Sequence, residues 1–287
     1  MTDLQGKPVS YKLENITIAG KAWGNPNGKP VLAIHGWLDN CASFDFIAPH
    51  LGDDIYLLAI DTAGHGATSH REPGGNYHLW NDVRDIIELV DHLGWEKFAL
   101  LGHSRGAVIS ILTAGAFPER ITHLSLIDCL IPFVKPPQEA PEQLALSVTA
   151  ALKQRGKHPT RYPSFDDAVT TRMQGNYPLS REAAETLAAR GVKEMDDGKV
   201  YWAYDPRLKL PSALYFSVEH IEAFLKNVTA PIQLLLAKEG LITHHPELFK
   251  FLERVKFIEP VWFEGGHHLH MEEEASNIAG LLREFCN

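Results

Sequence analysis

Five consecutive residues, Gly102-His103-Ser104-Arg105-Gly106, set a serine in G-x-S-x-G spacing. They follow the apolar run Phe98-Ala99-Leu100-Leu101 and lead into a helical stretch from Ala107 to Ala116. Strand, G-x-S-x-G and helix together predict a turn sharp enough to leave the serine hydroxyl bare above a sheet. Both glycines have a mechanical role, since side chains there would collide with the neighbouring strand and helix. The spacing alone arises by chance; the flanking runs, right in type and order, give it weight. Ser104 is therefore expected to act as a nucleophile.

A serine hydroxyl attacks poorly without a base, an orienting acid and donors for the developing oxyanion. The base is sought in Glu264-Gly265-Gly266-His267-His268-Leu269-His270, after the strand-like Val261-Trp262-Phe263. His267 directly follows the glycine pair and is chosen over His268 and His270. The bland alternative is a surface histidine cluster or an adventitious metal site. His267-x-x-His270 lacks the H-E-x-x-H arrangement and an obvious carboxylate ligand, so no catalytic metal is expected. Oxyanion donors are expected from the Trp37 amide, in His35-Gly36-Trp37-Leu38, and from the Arg105 amide at the start of the elbow helix. The alternative for His35-Gly36 is a plain strand-to-loop turn. For the acid, two residues satisfy the chain order serine, acid, histidine. Asp128 closes Leu124-Ser125-Leu126-Ile127, and Glu239 lies just beyond Ile232 to Ala237. Asp61 precedes Ser104 and heads the turn Asp61-Thr62-Ala63-Gly64-His65-Gly66, where a structural hydrogen-bonding role is expected.

These residues need a scaffold, and the apolar pattern supplies one. Tyr11 and Leu13 alternate in one phase and Ile16 and Ile18 in the other, with a turn or bulge at Glu14-Asn15. Val31–Ile34, Tyr56–Ile60, Phe98–Leu101, Leu124–Ile127 and Ile232–Ala237 are runs of buried-strand type. Leu79, Val83, Ile86, Ile87, Val90 and Leu93 recur at helical spacing, as do Ala275, Ile278, Ala279, Leu282 and Phe285. Strands alternating with amphipathic helices predict a parallel sheet covered on both faces. The alternation breaks between about Cys129 and Thr229. That stretch opens with prolines, carries helical patterns near 142–155, 166–174 and 180–190, and holds the aromatic Tyr201-Trp202-Ala203-Tyr204. It is read as a helical cap (129–229) inserted into an α/β core formed by 1–128 and 230–287. A separate partner-binding module is less favoured, because the sheet pattern resumes afterwards.

The 287 residues suit one large α/β domain with an insertion. A 45% hydrophobic and 22% charged composition is that of a soluble globular protein. The net charge of −9, with no Lys/Arg block, argues against nucleic acid or an anionic membrane as partner. Cys41, Cys129 and Cys286 form no C-x-x-C pair, and an odd count argues against a disulfide framework. Met1 to Gln5 lacks the charged start and apolar run of a signal peptide, and no apolar stretch approaches the ~20 residues of a membrane span. A cytoplasmic enzyme is expected.

Together these motifs resemble the α/β-hydrolase superfamily, in its capped serine-hydrolase branch. The similarity is to the serine hydrolase-like family and small bacterial carboxylesterases. It is carried by Lys21-Ala22-Trp23-Gly24, His35-Gly36-Trp37-Leu38-Asp39-Asn40, the Asp61 turn, the elbow and Gly265-Gly266-His267. The resemblance implies a mostly parallel eight-stranded sheet flanked by helices, with a helical cap inserted after the sixth strand. Many superfamily members carry an Asp after the seventh strand, nine or so residues past a proline resembling Pro231. Here that position is Gly240, preceded by Glu239. Other members place the acid after the sixth strand, about 24 residues beyond the nucleophile, which is where Asp128 stands. Asp128 is therefore preferred, with Glu239 in reserve. Arg105 departs from the uncharged residue common after the serine; it is expected to pair with a cap carboxylate or to favour anionic substrates.

The expected reaction is hydrolysis of a carboxylic ester or thioester through an acyl-serine, needing a small-molecule ester and water and no cofactor. Lactonase, acyl-CoA thioesterase and C–C bond hydrolase chemistry use the same residues, and the fold does not choose among them. The alternative from another class is a slow or non-catalytic ligand-binding protein, which a fluorophosphonate probe on Ser104 would separate from an enzyme. Phe44, Phe133 and Trp202 are expected to line an apolar acyl pocket, against the commoner role of aromatic residues in packing.

Overall fold

The computed structural model describes residues 6–154, 159–255 and 257–286. Met1 to Gln5, read above for a signal peptide, lie outside the described residues, as does residue 155 at the end of one helical pattern. In chain order, the first half contains β1 (Lys7–Lys12), β2 (Thr17–Gly24), β3 (Lys29–Ile34), β4 (Ile55–Ile60), α1 (Leu79–His92), β5 (Phe98–His103), α2 (Arg105–Ala116) and β6 (Ile121–Ile127). Then come α3 (Ala140–Gln154), β7 (Arg161–Tyr162), α4 (Phe165–Met173), α5 (Arg181–Gly191), β8 (Val192–Glu194), β9 (Val200–Trp202) and α6 (Val218–Asn227). The chain closes with β10 (Ile232–Glu239), α7 (Leu241–His244), α8 (Pro246–Leu252), β11 (Pro260–Gly266) and α9 (Ala275–Phe285).

Eight strands form one sheet in the order β1-β2-β4-β3-β5-β6-β10-β11. The β1–β2 and β2–β4 pairings are antiparallel, and every pairing from β4 to β11 is parallel. The phase switch at Glu14-Asn15 is the turn of the β1–β2 hairpin. Alternate residues of each buried strand feed opposite faces, as the two-residue period of a strand requires. Leu32, Ile34, Leu100, Leu124 and Leu234 pack with α1, α2 and Ile221 and Leu225 of α6. Val31, Ala33, Ala99, Leu101 and Leu235 pack with Phe44, Ile47 and α9. Burying one such aliphatic side chain stabilises the fold by about 1.5–3 kcal/mol, so a two-sided run of this type is held at the sheet's centre. All six residues of β5 are buried, and this central strand delivers the serine.

The chain leaves the sheet after β6 and rejoins it at β10. Between them, α4, α5 and β9 share a small apolar cluster of their own, including Val169, Leu187 and Trp202. β7, β9 and β8 form a three-stranded antiparallel sheet that the sequence did not announce. Two or three residues per strand are too few for an alternation to register. α6 was also unread, although Val218, Ile221 and Leu225 carry helical spacing; it packs on the core side against α2.

Candidate active site

The parallel strands deliver their C-terminal ends to one edge of the sheet, and the residues with chemistry gather there. Ser104 stands between β5 and α2 with φ +52° and ψ −116°. Among the described residues, the non-glycine residues in the left-handed region are Leu38, Ser104 and Asp128, and all three belong to these loops. Such backbone costs of order 1–3 kcal/mol per residue and persists only where surroundings enforce it. At the elbow the enforcement is close packing. A Cβ on Gly106 would fall 1.9 Å from the Ile34 carbonyl oxygen, and one on Gly102 would fall 2.5 Å from that of Gly106. The Ser104 amide is held by the Ile127 carbonyl at 3.0 Å.

The Ser104 hydroxyl lies 2.9 Å from His267 Nε2, and His267 Nδ1 lies 2.6 Å from Asp128 Oδ2. Asp128 follows β6, where its own amide donates to Leu235 O. Its carboxylate also accepts from the Ala237 amide at 3.0 Å and the Leu241 amide at 2.7 Å. Burial pushes the Asp128 carboxyl up to about 7, even though those two amide bonds favour its ionised form. With the carboxylate accepting, His267 carries its proton on Nδ1 and turns the Nε2 lone pair to the serine. Burial, then the neighbouring His268, hold the His267 imidazole well below its ordinary range.

Glu239 is exposed at the end of β10 and is not brought to the imidazole. The adjacent Gly240 explains the arrangement. A Cβ there would sit 2.2–2.5 Å from the carboxylate atoms of Asp128, so an acid on one strand end excludes a side chain on the other. Asp61 is fully buried and accepts from the amides of Cys41 and Ala67, and Arg190 of α5 pairs with it at 2.7 Å, a structural role.

The Trp37 and Arg105 amides flank the serine's edge of the sheet from the β3 loop and the start of α2. Neither is engaged in a backbone hydrogen bond among the described residues, whereas the Leu38 amide donates to His65 Nε2. The Arg105 guanidinium pairs with Asp82 of α1, and not, as expected, with a carboxylate of the 129–229 segment. Its charge is thereby met, and an anionic-substrate preference gains no support from it. A cleft of about 1460 Å³ opens over Ser104, with Ile131, Phe133, Val148 and Phe216 on its walls. Of the three aromatics expected there, only Phe133 lines it. Phe44 is fully buried beneath the sheet beside His270, and Trp202 packs in the α4–α5 cluster against Gly191. Both aromatics serve packing.

His268 and His270 are buried rather than forming a surface cluster. Sequence reasoning passed over several neighbours of the site. The Tyr177 ring lies 4.3 Å from the His267 ring, and Asp39, His103, His268 and Arg172 form a buried polar group behind it. Asp39 was within view in His35-Gly36-Trp37-Leu38-Asp39-Asn40, but nothing in its spacing assigned it a partner.

A mostly parallel sheet flanked by helices, with its functional loops at the C-terminal edge, defines the α/β-hydrolase class. The chain belongs to that family: the alpha/beta hydrolase fold family matches residues 29–208. It is 31% identical to human serine hydrolase-like protein 2 over 93% of this chain and 90% of that one. It is 42% identical to a hypothetical protein from Pseudomonas aeruginosa PAO1 whose crystal structure superposes with a TM-score of 0.90, covering 97% of both chains. The thioesterase domain from the curacin biosynthetic pathway shares the fold at 24% identity, with a TM-score of 0.82 over 98% of both. The serine hydrolase-like relatives support hydrolase activity. No helix among the described residues is long and apolar enough to cross a membrane.

Proposed function

We propose that this chain is a serine hydrolase that cleaves carboxylic esters through an acyl-serine intermediate, with Ser104, His267 and Asp128 as its triad. The observation that carries this reading is the unbroken hydrogen-bond line from serine to imidazole to buried carboxylate, at 2.9 and 2.6 Å. In the first half-reaction His267 Nε2 takes the Ser104 proton as Oγ attacks the ester carbonyl. The carbonyl oxygen becomes an oxyanion beside the Trp37 and Arg105 amides, and each such donor contributes ~2.7–4 kcal/mol to the transition state. The imidazolium, steadied by the Asp128 carboxylate, then protonates the leaving alcohol. Water then attacks the acyl carbonyl as His267 takes its proton, and the imidazolium returns that proton to Ser104 Oγ as the Oγ–acyl bond breaks and the acid leaves.

The segment 129–229 is the cap in this reading, and the cleft beneath it is the substrate site. At about 1460 Å³ that cleft exceeds the ~300–1,000 Å³ usual for small-molecule pockets, which suits an extended acyl or alcohol portion. Thioesters would follow the same steps with a thiol leaving. The test is hydrolysis of short p-nitrophenyl esters together with labelling by a fluorophosphonate probe. Wild type should turn over and be labelled at Ser104, and S104A should do neither. Full activity in S104A would refute the mechanism. Stoichiometric binding of a ligand without labelling would favour a non-catalytic receptor instead.

A further inference from the structure

Immediately behind the triad lies a buried polar group whose members are chain neighbours of the reacting residues. His103 precedes Ser104, His268 follows His267, and Asp39 stands two residues after Trp37. Each of the three is at least 95% buried. His268 Nε2 donates to Asp39 Oδ2 at 3.1 Å. His103 Nε2 donates to the backbone oxygen of His267 at 2.9 Å, and its Nδ1 lies 3.8 Å from the same Asp39 oxygen. A Cβ on Gly36 would fall 2.8 Å from Asp39 Oδ2 and 2.9 Å from His103 Nδ1, so Asp39 is pressed against the turn that leads to Trp37.

A carboxylate and two imidazoles at this separation have the donor types of a cation site. The cation that meets Asp39 is the guanidinium of Arg172, from α4 in the segment between β6 and β10. Its Nη2 donates to Asp39 Oδ1 at 2.8 Å and lies 3.2 Å from His268 Nε2. Because His268 Nε2 already gives its hydrogen to Asp39, that approach is a contact and not a hydrogen bond, so this one side chain engages the loop after β3 directly and the loop after β11 through Asp39.

Resting on the serine-hydrolase reading above, we propose that Arg172 is a positioning residue. Through Asp39 and His268 it holds the Trp37 loop and the His267 loop in register with Ser104. His268 and Arg172 both favour the ionised form of the buried Asp39, and removing one partner of a buried charge pair leaves the other uncompensated. Without Arg172 both loops lose a shared anchor, and displacement of a reacting group by about 1 Å costs on the order of 10²-fold in rate.

The charges of this group also reach the base. His267 is faced by Asp128 at Nδ1, by the His103 and His268 rings, by Tyr177, and by His245 from the turn between α7 and α8. Behind these, the negative Asp39 favours the protonated imidazole and the positive Arg172 disfavours it. Removing one or the other therefore moves the acid limb of kcat/KM in opposite directions.

The experiment compares wild type, R172K, R172Q and D39N on p-nitrophenyl acetate across the acid limb, with thermal melts as a folding control. In R172Q kcat should fall about 10²-fold with KM little changed, and the acid limb should move to higher pH. D39N should lose kcat while its limb moves to lower pH. R172K keeps the charge, so its limb should stay and part of kcat should return. A folded R172Q with unaltered kcat and limb overturns the proposal, as do limb shifts of one sign in R172Q and D39N. Should R172Q fail to fold, D39N and R172K decide, and an unshifted D39N limb overturns it. Failure of wild type to hydrolyse esters or to be labelled at Ser104 would instead overturn the underlying hydrolase reading. Labelled, active wild type beside a silent R172Q refutes Arg172 alone.

Discussion

Moving the acid from one strand end to the next puts the proposed triad to its sharpest test. Gly240 has φ −95°, a backbone any residue adopts, so the obstacle to a side chain there is the Asp128 carboxylate. A methyl group at 240 would lie 2.2–2.5 Å from Asp128 atoms, about 1 Å inside ordinary contact. In G240A the carboxylate must retreat by about that much from His267 Nδ1, which at on the order of 10²-fold per ångström corresponds to about 2.7 kcal/mol. D128G removes the acid outright while relieving the φ of +47° at that position. Turnover should then drop roughly 10⁴-fold, or about 5 kcal/mol, by analogy with the loss of the orienting acid in serine proteases. In the double variant D128G/G240D the volume is vacated and a new carboxylate grows into it. Activity should recover at least about 10²-fold over D128G. A side chain at 240, harmful beside Asp128, becomes beneficial once residue 128 is a glycine. The assay is p-nitrophenyl ester hydrolysis with melting temperatures recorded for each protein. A silent G240A, or folded D128G with near wild-type turnover, would refute the reasoning; a loss of activity confined to E239Q would move the acid to Glu239.

Two further outcomes follow from the burial pattern. His35, His65, His103, His267 and His270 are held below their ordinary range, chiefly by burial. Below pH 6.5 the unfolded chain binds protons that the folded chain refuses, so this contribution is complete above that pH and is lost as pH falls. Several such histidines act in the same direction, so the loss accumulates as pH falls. Urea midpoints should therefore fall steeply below pH 6.5, and a flat profile down to about pH 5 would contradict the neutral, buried assignment. The two aromatic positions should separate packing from binding: F44A should destabilise by about 3–5 kcal/mol. F133A should leave the melt within about 0.5 kcal/mol while raising KM for longer acyl esters, and equal destabilisation by both would place Phe133 in the core.

Much of this molecule is written locally. The strand runs, the G-x-S-x-G turn and the amphipathic periods of α1 and α9 depend on neighbours a few residues apart, so their types and order are legible in the chain itself. Ser104 and the order serine, acid, histidine are of this kind. Which of Asp128 and Glu239 meets the imidazole is not, because the two lie at the ends of adjacent strands, and only the fold turns Asp128 to His267 Nδ1 and leaves Glu239 exposed. Phe44 and Trp202 are apolar whether they face a cleft or a core, and burial alone tells them apart. Arg172 is 133 residues from Asp39, and no spacing rule links them. The local code names the elements and the candidate nucleophile; the contacts between sheet, loops and α4 exist only once long-range packing has closed, because charge pairing and excluded volume act through space and not along the chain.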